Sequence, residues 1–371
     1  MKKTSRASSG INRATLKAIS TVPDLSRRIL TYDSDEPSTY SVLSLPQAGA
    51  MKAETRTPIP WPDGQAPSPQ PLAKAPSPSD PLPQADYVVV TWTVEEAKAL
   101  ADTLTPGYPS KTSWYPYTHN FKTEFVPIIR KGAPSLASNR LASYFPTTIA
   151  GKSVLCMKSE LHLSQDGPKM PIAKLWAQII AEANPKLIIT TGTAGGIGAA
   201  IELGDVLCAK YVRFDCLKQF KSQAFHDSIY SCSKLTFKSG SVAEKLFLAN
   251  VTHLPTASRP PKIFTKSVSQ VKVPDVVTTD FFAFDDSSNT YGLQGLGGTV
   301  EMGDAVLGLV ISQMKGAPKW AAIRNASDPQ IDSTGLTPEQ AAQKAAQIYE
   351  KFGYWTTIPS AITCWSVILD N

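Results

Sequence analysis

The chain has 371 residues, 42% of them hydrophobic, with a formal net charge of +6 and five cysteines. That is apolar material for one large domain or two ordinary ones. The basic surplus bears on solubility and non-specific contacts rather than on fold. No stretch approaches the roughly eighteen apolar residues of a membrane span, and no apolar run of signal-peptide type is found at the start. Cys156, Cys208, Cys216, Cys232 and Cys364 make neither a CxxC pair nor a zinc-type spacing. An odd set of thiols fits a reducing compartment, so a soluble, cytoplasmic protein is expected. Apart from Lys2, Lys3, Arg6, Arg13 and Lys17 the basic residues are scattered. With no nucleic-acid motif beside them, neither nucleic acid nor a membrane is an expected partner.

The thirty prolines are unevenly spread. Residues 1–45 are polar and mixed, with a short apolar patch at Ile29 and Leu30. From Pro46 the chain is proline-rich, including Pro58, Pro60, Pro62, Pro67, Pro69, Pro71, Pro76, Pro78, Pro81 and Pro83. Proline removes backbone donors and favours extended neighbours, so residues 1–85 are expected as a disordered, proline-rich tail and linker.

Order is expected from Tyr87. Tyr87-Val88-Val89-Val90-Thr91-Trp92 has the continuous β-branched and aromatic character of a buried parallel strand. Thr93-Val94-Glu95-Glu96 then opens a helix, Thr93 as N-cap and Glu96 as the capping-box acid. The aromatic run Trp114–His119 reads as packing. Ser153–Met157 reads as a strand, and Pro171 starts a helix with Ile172, Leu175, Trp176, Ile179 and Ile180 on one stripe. Leu187–Thr190 is a buried strand running into Thr191-Gly192-Thr193-Ala194-Gly195-Gly196. Val206–Ala209 and Val276–Thr279 are short strands, Asp304–Met314 a helix, and Lys319–Arg324 a strand ending on Asn325-Ala326-Ser327-Asp328. A last helix runs from Thr337 to Phe352, with Pro338 in its first turn and Gly353 as its stop. Such alternation predicts an α/β fold, a central mixed, largely parallel sheet flanked by helices, over residues 86–371. In open sheets of this kind ligands bind beyond the carboxyl ends of the strands, where Glu96, Thr191, Thr193 and Asp328 lie.

The glycine-rich turn has two readings. Thr191–Gly198 fits a TGxxxGxG dinucleotide motif, and Tyr230…Lys234 supplies a YxxxK. However, the turn lies past mid-chain and the Tyr/Lys pair follows too soon. Gly204-Asp205 and a new strand follow at once, which leaves no helix to hold a pyrophosphate.

Leu187–Asp205, LIITTGTAGGIGAAIELGD, instead resembles the signature of nucleoside phosphorylases and methylthioadenosine/S-adenosylhomocysteine nucleosidases. The resemblance places Thr193, Ala194 and Gly195 at the sugar and base pocket. Val300-Glu301-Met302-Gly303-Asp304-Ala305 is similar to the family's V-E-M-E-x-A segment, whose Met packs on the sugar and whose second Glu binds ribose hydroxyls. Gly303 stands where that second Glu is expected, so Glu301 or Asp304 is left as the ribose carboxylate. Arg324-Asn325-Ala326-Ser327-Asp328 resembles R-x-I-S-D, whose Asp assists the departing purine at N7. Thr279-Asp280-Phe281-Phe282 resembles S-D-x-F, with Phe282 as the ring that stacks on the base. Glu96 matches the acid that activates water in nucleosidases, and residues 91–98 hold no phosphate-binding Gly and Arg.

The resemblance therefore implies cleavage of the N-glycosidic bond of a purine nucleoside. Asp328 and Glu96 are the expected catalytic pair, and Thr193, Ala194, Gly195, Phe282, Glu301, Met302 and Asp304 the expected binding residues. Hydrolysis is favoured; phosphorolysis, with phosphate as co-substrate, and non-catalytic nucleoside binding remain open. No metal or other cofactor is implied. A small-molecule nucleoside and further copies of the same chain, as a homo-oligomer, are the implied partners.

Overall fold

The computed structural model describes residues 25–36, 56–255, 258–265 and 276–371. A short helix, α1 (Leu25–Thr31), comes first and carries the apolar patch of the N-terminal stretch. An edge strand β1 (Ser68–Pro69) precedes β2 (Tyr87–Thr91), whose five residues are all buried, as an uninterrupted apolar run demands. In α2 (Val94–Leu104) the capping box forms as expected: the Thr93 hydroxyl accepts from the Glu96 amide, and the Glu96 carboxylate accepts from the Thr93 amide. After β3 (Tyr115–Tyr117) and α3 (Pro134–Ser138), the hairpin β4 (Ala142–Ile149) and β5 (Lys152–Ser159) turns through Ala150 and Gly151, both at positive φ. Then come α4 (Pro171–Ala183), β6 (Leu187–Gly196), β7 (Val206–Cys208), β8 (Tyr211–Phe214) and β9 (Ile229–Ser231). The remainder comprises α5 (Gly240–Leu248), β10 (Ile263–Phe264), β11 (Val276–Thr278), β12 (Thr299–Glu301), α6 (Asp304–Gln313), β13 (Lys319–Asp328) and α7 (Pro338–Asp370).

These strands form one mixed sheet in the order β1-β4-β5-β2-β6-β12-β11-β8-β9, with β13 also on β6 and β7 and β10 beyond it. The strands β5, β2, β6 and β13 run parallel, so their carboxyl ends share one edge. On one side of β6, β2 is paired with Leu187–Thr190 and the antiparallel β12 with Gly195 and Gly196. Among the described residues no strand is paired on that side with Thr191–Ala194. The sheet therefore opens there, at a switch in strand order.

Two sequence expectations change. Gly353 does not stop the last helix: α7 continues through it and through Pro359 to Asp370. Its second half is apolar or small on every side, and Ile358, Ala361, Ile362, Cys364 and Trp365 are fully buried in a cluster with Val89, Ile189 and Ile323. Each such large side chain contributes roughly 1.5–3 kcal/mol on burial, enough to outweigh one missing hydrogen bond at Pro359. Residues 56–85, expected as a disordered linker, run as a belt along the domain. Ser68 and Pro69 pair with Thr148 and Thr147, and Ile59, Leu82 and Ala85 are buried. Proline is compatible with such an edge, where an extended chain needs few ladder donors. The basic residues Lys2 to Lys17 lie outside the described residues. Among the described residues no helix is long and apolar enough to cross a membrane.

Candidate active site

Glu96 fills the opening beside β6. One carboxylate oxygen accepts from the Thr91 hydroxyl at 2.6 Å and from the amides of Trp92 and Thr93, both at 2.9 Å. The other accepts from the amide and the hydroxyl of Thr193, both at 2.6 Å. A side-chain carboxylate thus serves the backbone that no neighbouring strand serves. Burial pushes this carboxyl up, but the Arg324 charge and the hydrogen bonds from Thr193, Thr91 and Thr93 outweigh it and hold it below its ordinary value. Glu96 is a carboxylate.

Asp328 ends β13 on the same edge, after a register shift between Ala326 and Asp328. Its carboxyl is buried beside Gly195 and Val300 and accepts one hydrogen bond from the Ser327 hydroxyl, at 2.8 Å. Burial with so little compensation raises it from the ordinary aspartate range to about 7. Gly195 leaves the room this needs, since a β-carbon there would stand 3.0 Å from an Asp328 oxygen.

The acids of the third block are placed differently from what the sequence suggests. Asp304, expected as a possible ribose ligand, is fully buried in a two-point ion pair with Arg324, whose Nε donates to it at 2.8 Å and whose Nη2 makes the second contact. Its carboxylate is spent on a buried guanidinium, so the ribose role is corrected. Glu301 also turns inward: it accepts from the Thr278 hydroxyl, from the Gly303 and Asp304 amides at the start of α6, and from Arg324 at 3.4 Å. Burial and the Asp304 charge push its carboxyl up against the pull of Arg324. Gly303 has a packing reason, because a β-carbon there would meet the Trp92 indole at 3.2 Å. Trp92 in turn lies over the Arg324 guanidinium, 4.8 Å from ring centroid to Cζ.

Glu96, Thr193, Glu301 and Met302 line one cavity with Trp92, Thr93, Gly303 and Arg324. Ala194, Gly195, Phe282 and Asp328 do not line it; Gly195 and Asp328 stand beside Val300, and Phe282 packs on the cluster that includes Phe281 and Phe284. Four further lining residues escaped the sequence reading: His162, Ser164, Ile29 and Leu30. His162 and Ser164 follow the carboxyl end of β5, and the strand-end rule that flagged Glu96 flags them once β5 is known to neighbour β2. Burial pushes His162 down to about 3, leaving a neutral imidazole in the wall. The aromatic run Trp114–His119 packs as expected over its first part, Trp114 and Tyr117 being buried.

The sequence model of the Phosphorylase superfamily matches residues 86–352, well over half of the chain. The chain belongs to that superfamily. No curated protein matches it. Among solved structures, this superfamily member is similar to the 5′-methylthioadenosine/S-adenosylhomocysteine nucleosidase of Neisseria meningitidis, solved with methylthio-immucillin-A. Identity is 16%, the match covers 76% of this chain and 97% of that one, and the TM-score is 0.45. The futalosine hydrolase of Helicobacter pylori is 15% identical over 77% of this chain and 97% of its own, at TM-score 0.46. The S-adenosylhomocysteine nucleosidase of Streptococcus pyogenes is 14% identical over 77% and 97%, at 0.45.

Proposed function

We propose that the chain hydrolyses the N-glycosidic bond of a purine nucleoside. The observation that supports this most is the opposite setting of two carboxyls at the edge of one sheet. Asp328 is raised to about 7 by burial, and Glu96 is held ionised by Arg324 and by five donors. Two acids pushed apart in this way divide into a proton donor and an anion.

In the proposed step Asp328 gives its proton to N7 of the purine as the bond from C1′ to the base breaks, and the bonding pair leaves with the base. Water adds to the oxocarbenium-like C1′, and its proton passes to Glu96. A carboxylate with a depressed pKa is a weak base, but a strong electrophile asks little of it: water turns acidic only as it bonds to C1′. The other work of Glu96 is to hold Thr193 and the cavity wall in place. Met302 supplies an apolar contact for the sugar and Phe282 a face for the base. Nothing in this step calls for a metal or a redox cofactor.

Chromatographic detection of free base tests the proposal, using the full chain with purine and pyrimidine nucleosides, methylthioadenosine among them, with and without phosphate. Release of purine without phosphate is the expected result. Release that requires phosphate replaces hydrolysis by phosphorolysis, and release of pyrimidines alone overturns the purine assignment.

A further inference from the structure

The cavity that holds Glu96, Thr193 and Met302 is lined in part by a segment outside residues 86–352. Ile29 and Leu30 of α1 line it and are only 6% and 5% exposed. About 60 Å³ is left, the share of roughly two waters, whereas pockets for drug-sized ligands run to roughly 300–1,000 Å³. Ile29 and Leu30 take up part of the wall of this narrow space. Leu25 and Ile29 belong to the buried cluster of Ile197, Val300, Phe281 and Phe284, against which Phe282 packs. Val300 borders the Gly195 site that Asp328 occupies. So α1 borders the Glu96 cavity with Ile29 and Leu30 and joins, through Leu25 and Ile29, the apolar cluster that includes Val300.

We infer that α1 is an autoinhibitory plug that must leave before substrate binds, an inference that rests on reading this cleft as a nucleoside site. Its fastenings suit release. Arg28 pairs with Glu350 of α7, one contact being 2.7 Å. The amide and hydroxyl of Ser34 donate to Glu95 at 2.8 and 3.0 Å, and Lys98 and Lys111 reach Asp33 at 3.4 and 3.0 Å. These contacts are few and polar, Lys111 among them half-exposed, and a helix of seven residues has little stability away from its packing surface. With the plug seated most of the time, apparent affinity falls in proportion to the open fraction.

Trypsin cleavage after Arg27 and Arg28, followed by mass spectrometry on the full chain, reads the plug directly, with adenosine as the probe. Adenosine is expected to speed that cleavage. Glu350→Gln, which loosens Arg28 at a residue that does not line the cavity, is expected to bind adenosine roughly threefold to tenfold more tightly and to lower KM with kcat unchanged. Unchanged or slower cleavage with adenosine, together with unaltered affinity in Glu350→Gln, overturns the plug and makes α1 a fixed wall. If the native chain binds no adenosine, an Ile29→Ser/Leu30→Ser chain that does bind it supports the plug, and one that does not overturns it. Neither the cleavage rate nor the binding affinity needs turnover. Adenosine-driven exposure of Arg28 without base release retains the plug and removes the hydrolytic reading; base release with Arg28 protected does the reverse.

Discussion

Gly192 and Glu96 share one space: a β-carbon on Gly192 would lie no more than 2.9 Å from either carboxylate oxygen of Glu96. Gly192 also sits at φ +128°, where a side chain is strained. The strand end can curl under the carboxylate only because that residue has no side chain. This curl presents the Thr193 amide and hydroxyl to Glu96.

Gly192→Ala is therefore expected to displace Glu96 from Thr193. Backbone strain alone costs roughly 1–3 kcal/mol, so thermal unfolding should shift down and base release should fall by more than the loss of folded protein explains. Native melting temperature with native turnover would show that the Glu96–Thr193 contact is dispensable.

Asp328→Asn removes the proposed proton donor with little change of shape. A positioned general acid is worth roughly 10²–10⁴ in rate. With Asp328 titrating at about 7, wild-type kcat/KM should hold below that pH and decline above it. The variant should be slower by that factor and lose the alkaline decline. A decline that persists in Asp328→Asn assigns the titration to another group.

The same carboxyl sets a pH dependence of stability. Its folded value of about 7 lies above the ordinary unfolded value near 3.9. The stabilisation it brings is complete below the unfolded value and is lost as pH rises through the folded one. Asparagine carries no such penalty. Melting of Asp328→Asn should match wild type near pH 4 and exceed it near pH 8, by on the order of a few kcal/mol. Equal melting at both pH values would mean that solvent reaches the carboxyl.

The strands and the capping box of α2 were legible because local pattern and tertiary role agree there: a buried run such as Tyr87–Thr91 has one reading, and Thr93 and Glu96 are three apart. Glu96 could be picked out, but not its five hydrogen bonds, because Thr193 comes from a strand ninety-seven residues away. Asp304 misled for the same reason. Next to Gly303 it looks available, and only the fold shows Arg324 underneath it. Ile29 and Leu30 read as a stray apolar patch, since two apolar residues in a polar stretch do not reveal the surface that receives them. Gly353 and Pro359 carry local stop signals, and the buried packing of Ile362 and Trp365 overrides them.

The Arg324–Asp304 pair is buried at both ends, with side-chain exposures of 2% and 0%. Removing one partner strands the other in a dry interior, which typically costs about 3–5 kcal/mol. Arg324→Met should therefore unfold more easily than the double variant Arg324→Met/Asp304→Leu, in which the Asp304 charge is gone as well, while Glu301 and Glu96 lose Arg324 equally in both. Chemical denaturation of both chains measures the difference. Arg324 also holds Glu96 low, so turnover should fall in both variants. A single variant as stable as the double would mean that water or another group compensates Asp304.

The belt of residues 56–85 makes a last expectation checkable at one atom. The Trp365 indole nitrogen donates to the Gln65 carbonyl at 2.7 Å, and its ring stands 4.9 Å from that of Trp61. Trp365→Phe keeps most of the apolar contact and deletes the donor. Losing this part-buried hydrogen bond costs roughly 0.5–1.5 kcal/mol, and the lost grip falls on the belt rather than on the sheet. Hydrogen exchange should therefore rise over residues 59–66 while β2 and β6 stay protected. A uniform rise across the sheet would instead make Trp365 a core residue whose link to Gln65 is incidental, since only a local fastening loosens one segment and leaves its neighbours closed.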